Sequence, residues 1–248
     1  MAHFDVISPD MSAGPFGDEA AATPLYARRF SGKTGTWFLD RQAGILRDLL
    51  APWPGASVLD IGGGHGQVVS ALAGTGHHVT VASSLAREQT MLAGPSGPEG
   101  VSFVQCDLRE PPFPDGSFDV VVAIRMMAHV EDWPGFLASM ARMARKAVII
   151  DFAEARSGNA LADRLYKVKA AVETETRPFA TQRRGEIEAV LEGLGLSAPR
   201  AFGQYVFPMA LHRTLKAPGL SRGMERAADF AGLRRFGSPV LLRMERRA

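Results

Sequence analysis

A cluster of glycines at the end of a short apolar run constrains this chain more than any other feature. Val58-Leu59-Asp60-Ile61-Gly62-Gly63-Gly64-His65-Gly66 passes from residues that favour a buried strand to residues that permit a tight turn. Glycine lets a backbone turn sharply and approach a ligand with no Cβ in the way. Where such a turn opens a helix, the first N–H groups point outward and carry the positive end of the helix dipole. In an open α/β sheet, the crevice beside such a turn is the expected ligand site. The plain alternative is a glycine-rich strand-to-helix turn that binds nothing.

The surrounding pattern supports an α/β sheet. Residues 36–50 read as a helix, with Phe38, Leu39, Ile45, Leu46, Leu49 and Leu50 on the helical period. Strands are expected over 57–61, 77–82, 101–105, 118–124 and 147–152, with helices over 65–73, 85–93 and 133–144 between them. Apolar strands alternating with helices imply a mostly parallel sheet covered on both faces. Further on, the pattern gives helices over 160–172 and 184–194 and strands over 200–207 and 239–244. Residues 208–236 read as helical in two pieces around Pro218-Gly219. Residues 1–35 are expected to form an N-terminal arm or lid, and 36–248 one domain with helical cap insertions near 157–195 and 208–236.

Which ligand would suit the turn? The dinucleotide pattern G-x-G-x-x-G fails, because Gln67 occupies its third glycine position. Asp60, two residues before the first glycine, would repel a pyrophosphate and suits a cationic group. No Gly-Lys-Ser/Thr follows, so a mononucleotide P-loop is excluded. S-adenosylmethionine (SAM) carries both an α-ammonium and a sulfonium, and so fits the carboxylate.

Asp60-x-Gly62-x-Gly64-x-Gly66 after an apolar strand resembles motif I of the class I SAM-dependent methyltransferases, of the type 11/12 kind. The stretches 112–119 and 124–133 resemble that family's segments on either side of its fourth strand. The likeness implies a Rossmann-like, seven-stranded sheet of order 3-2-1-4-5-7-6 with the last strand antiparallel. It implies SAM as cofactor and S-adenosylhomocysteine (SAH) as product. It places Asp60 near the methionine end, and Gly62, Gly63, Gly64 and Gly66 as the cofactor wall. Asp107, with Leu108, takes the adenine position, and Arg125 lines the pocket. One position departs from the family. Its second strand usually ends in Asp or Glu for the ribose hydroxyls, whereas here Ser83 stands there, followed by Ser84. A serine lacks the bidentate acceptor geometry of a carboxylate. Glu88 is the nearest carboxylate downstream.

Composition sets limits on the rest. With 248 residues, 46% of them hydrophobic, the chain suits one α/β domain with appendages. No apolar run is long enough to span a bilayer, the N-terminus lacks a secretory pattern, and Cys106 is the single cysteine. The expectation is a cytoplasmic enzyme with no internal disulfide and no structural metal. Charge is unevenly spread: from Lys167 onward there are 15 Lys+Arg against 8 Asp+Glu, and before it 13 against 18. A basic C-terminal part can attract an anionic substrate or a membrane surface. Nucleic acid is not expected as a partner, and the assembly is expected to be a monomer or homodimer.

Methyl transfer needs a base only when the acceptor must lose a proton. His129, just beyond the fourth strand, is the candidate, against the alternative of a structural histidine. Tyr26 and His212 are lesser candidates. Substrate is expected to meet the aromatic and basic residues Tyr26, Arg29, Phe30, Tyr166, Lys167, Lys169, Arg177, Phe179, His212 and Arg213. Their character suggests a small or amphiphilic acceptor bearing carboxylate or phosphate. The favoured function is a small-molecule methyltransferase. A non-catalytic SAM-binding or interaction protein stays open, and a nicotinamide oxidoreductase is less favoured.

Overall fold

The computed structural model describes residues 30–86, 92, 100–157 and 180–247. Most of the helix expected over 85–93, all of that expected over 160–172, and Tyr26, Arg29, Glu88, Tyr166, Lys167, Lys169, Arg177 and Phe179 lie outside the described residues.

The chain enters through α1 (Gly32–Leu50) and β1 (Ser57–Ile61), then α2 (Gln67–Leu72) and β2 (His78–Ser83). Next come β3 (Val101–Gln105), β4 (Phe118–Ala123), α3 (Trp133–Met143) and β5 (Ala144–Phe152). The C-terminal part adds α4 (Arg184–Gly193), β6 (Leu196–Gly203), α5 (Met209–Leu215) and α6 (Pro218–Phe230), then a 3-10 turn (Leu233–Phe236) and β7 (Val240–Arg246). The seven strands form one sheet in the expected order, β3-β2-β1-β4-β5-β7-β6. Strands β3 to β5 pair in parallel, and β7 runs antiparallel to both β5 and β6.

Period-two alternation along each strand feeds two separate cores. Leu59, Ile61, Val121, Val148 and Ile150 pack against α3 and α4 through Leu137, Met140, Ile187 and Leu191. Val58, Val81, Val122 and Ile149 pack on the opposite face against Ile45, Leu46, Leu49 and Leu50 of α1 and Val68 and Leu72 of α2. Each fully buried aliphatic side chain contributes about 1.5–3 kcal/mol. This two-sided burial is why the inner strands carry unbroken apolar runs. Asp60 shares the parity of Val58, and Asp151 that of Ile149. Both carboxylates therefore lie on the α1 face, at the carboxyl ends of β1 and β5.

Several element boundaries differ from expectation; β5, for one, begins at Ala144 rather than 147. α1 begins at Gly32, so the arm boundary expected at 35 falls inside a helix. α2 is only six residues long, starting at Gln67. β6 spans Leu196–Gly203, four residues earlier than expected. It is an edge strand, and Pro199 sits where its register with β7 shifts between Ser197 and Arg200, beside Ala198 at φ 52°. A bulge on an edge strand tolerates proline that a central strand would not.

α5, α6 and the 3-10 turn form the expected cap in the β6–β7 connection. A buried polar joint fixes it to α1. Glu225 of α6 accepts hydrogen bonds from His212 Nε2 at 2.9 Å and from the backbone N–H groups of Val206 and Phe207 at 3.0 and 3.1 Å. Arg41 of α1 stands 3.9 Å away. These partners hold the Glu225 carboxyl below the usual range in spite of its burial. His212 is ringed by Trp37, Phe38, Tyr205 and Phe207 at centroid distances of 5.0 to 6.4 Å. His212 was expected to face substrate, but its side chain is fully enclosed. Its place is in the joint, where the hydrogen bond to Glu225 and the aromatic edges account for a histidine at this position.

Candidate functional site

The glycine turn stands at the centre of the sheet. Asp60 pairs with Val81 of β2 on one side and Val122 of β4 on the other. Gly62 extends the strand by donating its N–H to Ala82 O at 2.8 Å, and Gly66 closes the turn onto Gly63 O at 2.8 Å. Gly62 and Gly66 adopt φ of 75° and 67°, the left-handed region that costs other residues strain. The packing is equally restrictive. A Cβ on Gly62 would strike the thioether of Met126, and one on Gly63 would strike the Asp60 carboxylate.

Asp60 is the unusual member. It is 1% exposed, and its Oδ2 has no hydrogen-bond partner among the described residues. Burial pushes its carboxyl up to about 7. A buried acceptor left without a partner costs free energy, roughly 1–3 kcal/mol or more for a charged group. A carboxylate held in that state against a glycine turn is suited to a cationic ligand group.

The second wall is the segment after β4. Arg125 takes φ 64°, and its N–H donates to Asp151 Oδ1 at 2.5 Å. Burial pushes the Asp151 carboxyl up to about 6, although the Arg125 N–H and guanidinium act to lower it. The Arg125 guanidinium lies 3.7 Å from the centre of the Phe30 ring and 3.4 Å from Gln42 Oε1 of α1. Phe30, expected at the substrate, and Arg125, expected at the cofactor, are thus brought together. Met126 covers Gly62, and Met127 O accepts from Gln182 Nε2 at 2.9 Å, tying this wall to the segment before α4. His129 follows, partly exposed, its N–H bonded to Met126 O at 2.9 Å.

The other expected cofactor residues are arranged less openly. Ser83 is fully buried, and its hydroxyl accepts the Leu85 N–H at 3.2 Å. Ser84 is partly exposed. Asp107 is gripped by Arg109, whose Nη2 stands 2.6 Å from Oδ2, and it also caps the Arg109 N–H at 2.9 Å. The hydrogen bond from Arg109 is the largest influence holding the Asp107 carboxyl below its usual range. Leu108 is buried in the core. Arg213 stands on α5 over Phe38, 5.8 Å from the ring centre.

Asp151, Gln42 and Gln182 were not among the expected site residues. For Asp151 the signal was present: a carboxylate near the end of an apolar strand, the same pattern that marked Asp60. A groove of about 490 Å³ opens beyond β5, where Glu154, Glu186 and Glu188 line it together with Arg156, Arg183, Arg184 and Arg235. Glu154 is occupied by the N–H groups of Arg156 and Arg184, each at 3.1 Å. Only β4 stands between β5 and β1, which puts β5 roughly 10 Å from β1.

Comparison with known proteins bears on this geometry. Residues 59–150 match the family described as Methyltransferase domain. Nocamycin O-methyltransferase of Saccharothrix syringae is 36% identical over 118 residues, 45% of this chain and 42% of that protein. The ubiquinone/menaquinone biosynthesis C-methyltransferase UbiE of Ectopseudomonas mendocina is 32% identical over 128 residues, 46% of this chain and 47% of that protein. The chain thus spans less than half the length of these curated relatives. The solved structure of magnesium protoporphyrin IX methyltransferase from Synechocystis PCC 6803, with bound SAH, superposes with a TM-score of 0.61 at 16% identity. That match covers 93% of this chain and 98% of the other, and at that identity it supports the fold.

Proposed function

We propose that the chain is a class I SAM-dependent methyltransferase, as the match of residues 59–150 to the methyltransferase-domain family supports, and that it transfers a methyl group from SAM to a small-molecule acceptor with an acidic or amphiphilic part. The observation that carries the reading is Asp60, a carboxylate shut into the sheet beside the glycine turn with one oxygen unpartnered among the described residues. A positive group alongside would return it to the charged state. The α-ammonium of SAM supplies such a group, and the pyrophosphate of a dinucleotide does not.

Asp60, Gly62, Gly63, Gly64 and Gly66 would hold the methionine end, and Ser84, Asp107 and Leu108 the adenosine end, with Arg125 at the wall. Bound SAM supplies a sulfonium methyl already activated for in-line displacement. The chain's part is to position the acceptor and exclude water. Where the acceptor must lose a proton, His129 receives it. Of the arginines in the groove beyond β5, Arg183 and Arg184 are paired with Glu186 and Glu188, and Arg156 and Arg235 are the ones that support an acidic acceptor.

Titration calorimetry with SAM, SAH and NAD tests the cofactor. SAM and SAH are expected to bind and NAD is not, and Asp60→Asn is expected to weaken SAH by roughly ten- to a hundredfold. Absence of SAM and SAH binding at millimolar concentration overturns the reading. A methyl-transfer screen over small acidic and amphiphilic metabolites tests the acceptor. A second reading rests on Ser83, whose buried hydroxyl is turned to the Leu85 N–H. With no carboxylate at the strand end the ribose contact is weaker, and the alternative is a non-catalytic SAM-binding or interaction protein. Binding with no transfer across the screen selects that reading.

A further inference from the structure

Among the described residues, the large apolar side chains left exposed are Leu211, Leu220, Phe230, Leu233 and Phe236. All fall in the β6–β7 connection, and Phe230 is 97% exposed. Elsewhere in the described residues, large apolar groups are at least partly covered. Such a concentration in one insertion marks an interaction surface.

The arrangement on α6 is one-sided. Ser221, Glu225 and Ala228 face the protein. Phe230 is nine residues from Ser221, about two and a half helical turns, and so lies on the opposite side. Gly219, Gly223 and Ala227 share that outward stripe, which leaves a smooth surface interrupted by Phe230 and Leu220. Arg222 and Arg226 flank it, and Arg235 continues the charge into the 3-10 turn, while Arg234 is turned inward to Gly203 O and the Phe202 ring. The two acids of the segment are committed inward. Glu225 holds His212, and Asp229 accepts from Arg41 at 3.4 Å.

We propose that the outer face of this cap is a docking surface for an anionic lipid bilayer. Phe230, Leu220 and Phe236 enter the boundary between headgroups and acyl chains, and the arginines meet acidic headgroups. The charge of the whole chain orients the approach, since 15 Lys+Arg against 8 Asp+Glu lie from Lys167 onward and 13 against 18 before it. A second copy is disfavoured, because a two-fold contact would set these arginines against themselves. No described helix is long and apolar enough to cross a membrane, so the contact is a peripheral one. The proposal does not depend on the methyltransferase reading.

Co-sedimentation of the full chain with vesicles tests it. On phosphatidylcholine vesicles carrying roughly one-third phosphatidylglycerol, binding is expected, falling steeply in high salt and on pure phosphatidylcholine. Phe230→Ser should weaken it by roughly fivefold or more, and Arg222→Gln and Arg226→Gln by roughly fivefold each. Unchanged thermal unfolding of these surface variants would confirm that folding is intact. No sedimentation, equal binding to neutral vesicles, or full binding by Phe230→Ser overturns the proposal. Light scattering that shows a dimer dissolved by Phe230→Ser, with no vesicle binding, overturns it in favour of self-association. Capture by an acidic peptide with no vesicle binding overturns it in favour of a protein partner.

Discussion

Asp60 and Glu225 are both carboxylates removed from solvent, and they are in opposite chemical states. Asp60 sits on the sheet beside the glycine turn with Oδ2 unpartnered among the described residues, and burial pushes it up to about 7. Glu225 sits in the cap with a histidine, two backbone N–H groups and an arginine around it, and those partners pull it below its usual range. Burial acts on both in the same direction. The partners the fold supplies make the difference. A buried acid with every acceptor site filled is a joint. One left with an open oxygen beside close-approaching glycines is what the proposed cofactor site rests on.

The largest effect is expected on the joint. Glu225→Ala removes the acceptor for His212 and for the Val206 and Phe207 N–H groups at once, and should cost about 3–5 kcal/mol in urea unfolding. Asp60→Asn should act oppositely on stability. In the ligand-free protein it removes an uncompensated buried charge, so stability at neutral pH should rise by a few kcal/mol while SAH binding falls.

The pH dependence separates the two residues further. An Asp in the unfolded chain titrates near 3.9, whereas folded Asp60 titrates at about 7. Between those values the folded state holds a proton that the unfolded state has released. Stability of the ligand-free protein should therefore fall as pH rises from about 4 to about 7. Asp151, raised to about 6, adds in the same sense. Glu225, lowered instead, contributes stability that is lost as pH falls below about 4. Asp60→Asn should flatten the neutral limb and Glu225→Gln the acid limb. If Asp60→Asn leaves the neutral limb unchanged, the contrast between the two acids is wrong. The smallest effect is expected at Ser83, whose hydroxyl serves the Leu85 N–H. Ser83→Ala should cost about 1 kcal/mol in unfolding and leave SAH affinity within about twofold.

The sheet was legible because its signals are local. Each strand from β1 to β5 is an apolar run of fitting length, and the order of strands followed from the family likeness of one turn. The end of β6 was misplaced because Pro199 is acceptable only on an edge strand with a bulge, and edge position is a property of the assembled sheet. Asp60 and the glycines were singled out from their spacing and the family likeness, and both are carried by neighbouring residues. Asp151 carried the same strand-end signal as Asp60 and was passed over, because no glycine followed it. Its meaning depends on Arg125, 26 residues away, whose N–H it accepts. His212 was misread as substrate-facing for a similar reason. A histidine among aromatic and basic residues reads alike whether it lines a pocket or closes a joint, and only Glu225 at 2.9 Å decides between them.

The sequence by itself determined the parallel sheet, the glycine turn and the carboxylate that precedes it. These depend on period, on the missing Cβ and on the sign of one charge, all carried by residues adjacent in the chain. Tertiary structure decided which buried acid is satisfied and which is left open, where Arg125 is held, and that the cap turns its leucines and phenylalanines outward. Those outcomes depend on burial and partners brought together from distant parts of the chain, and neither exists until the chain has folded.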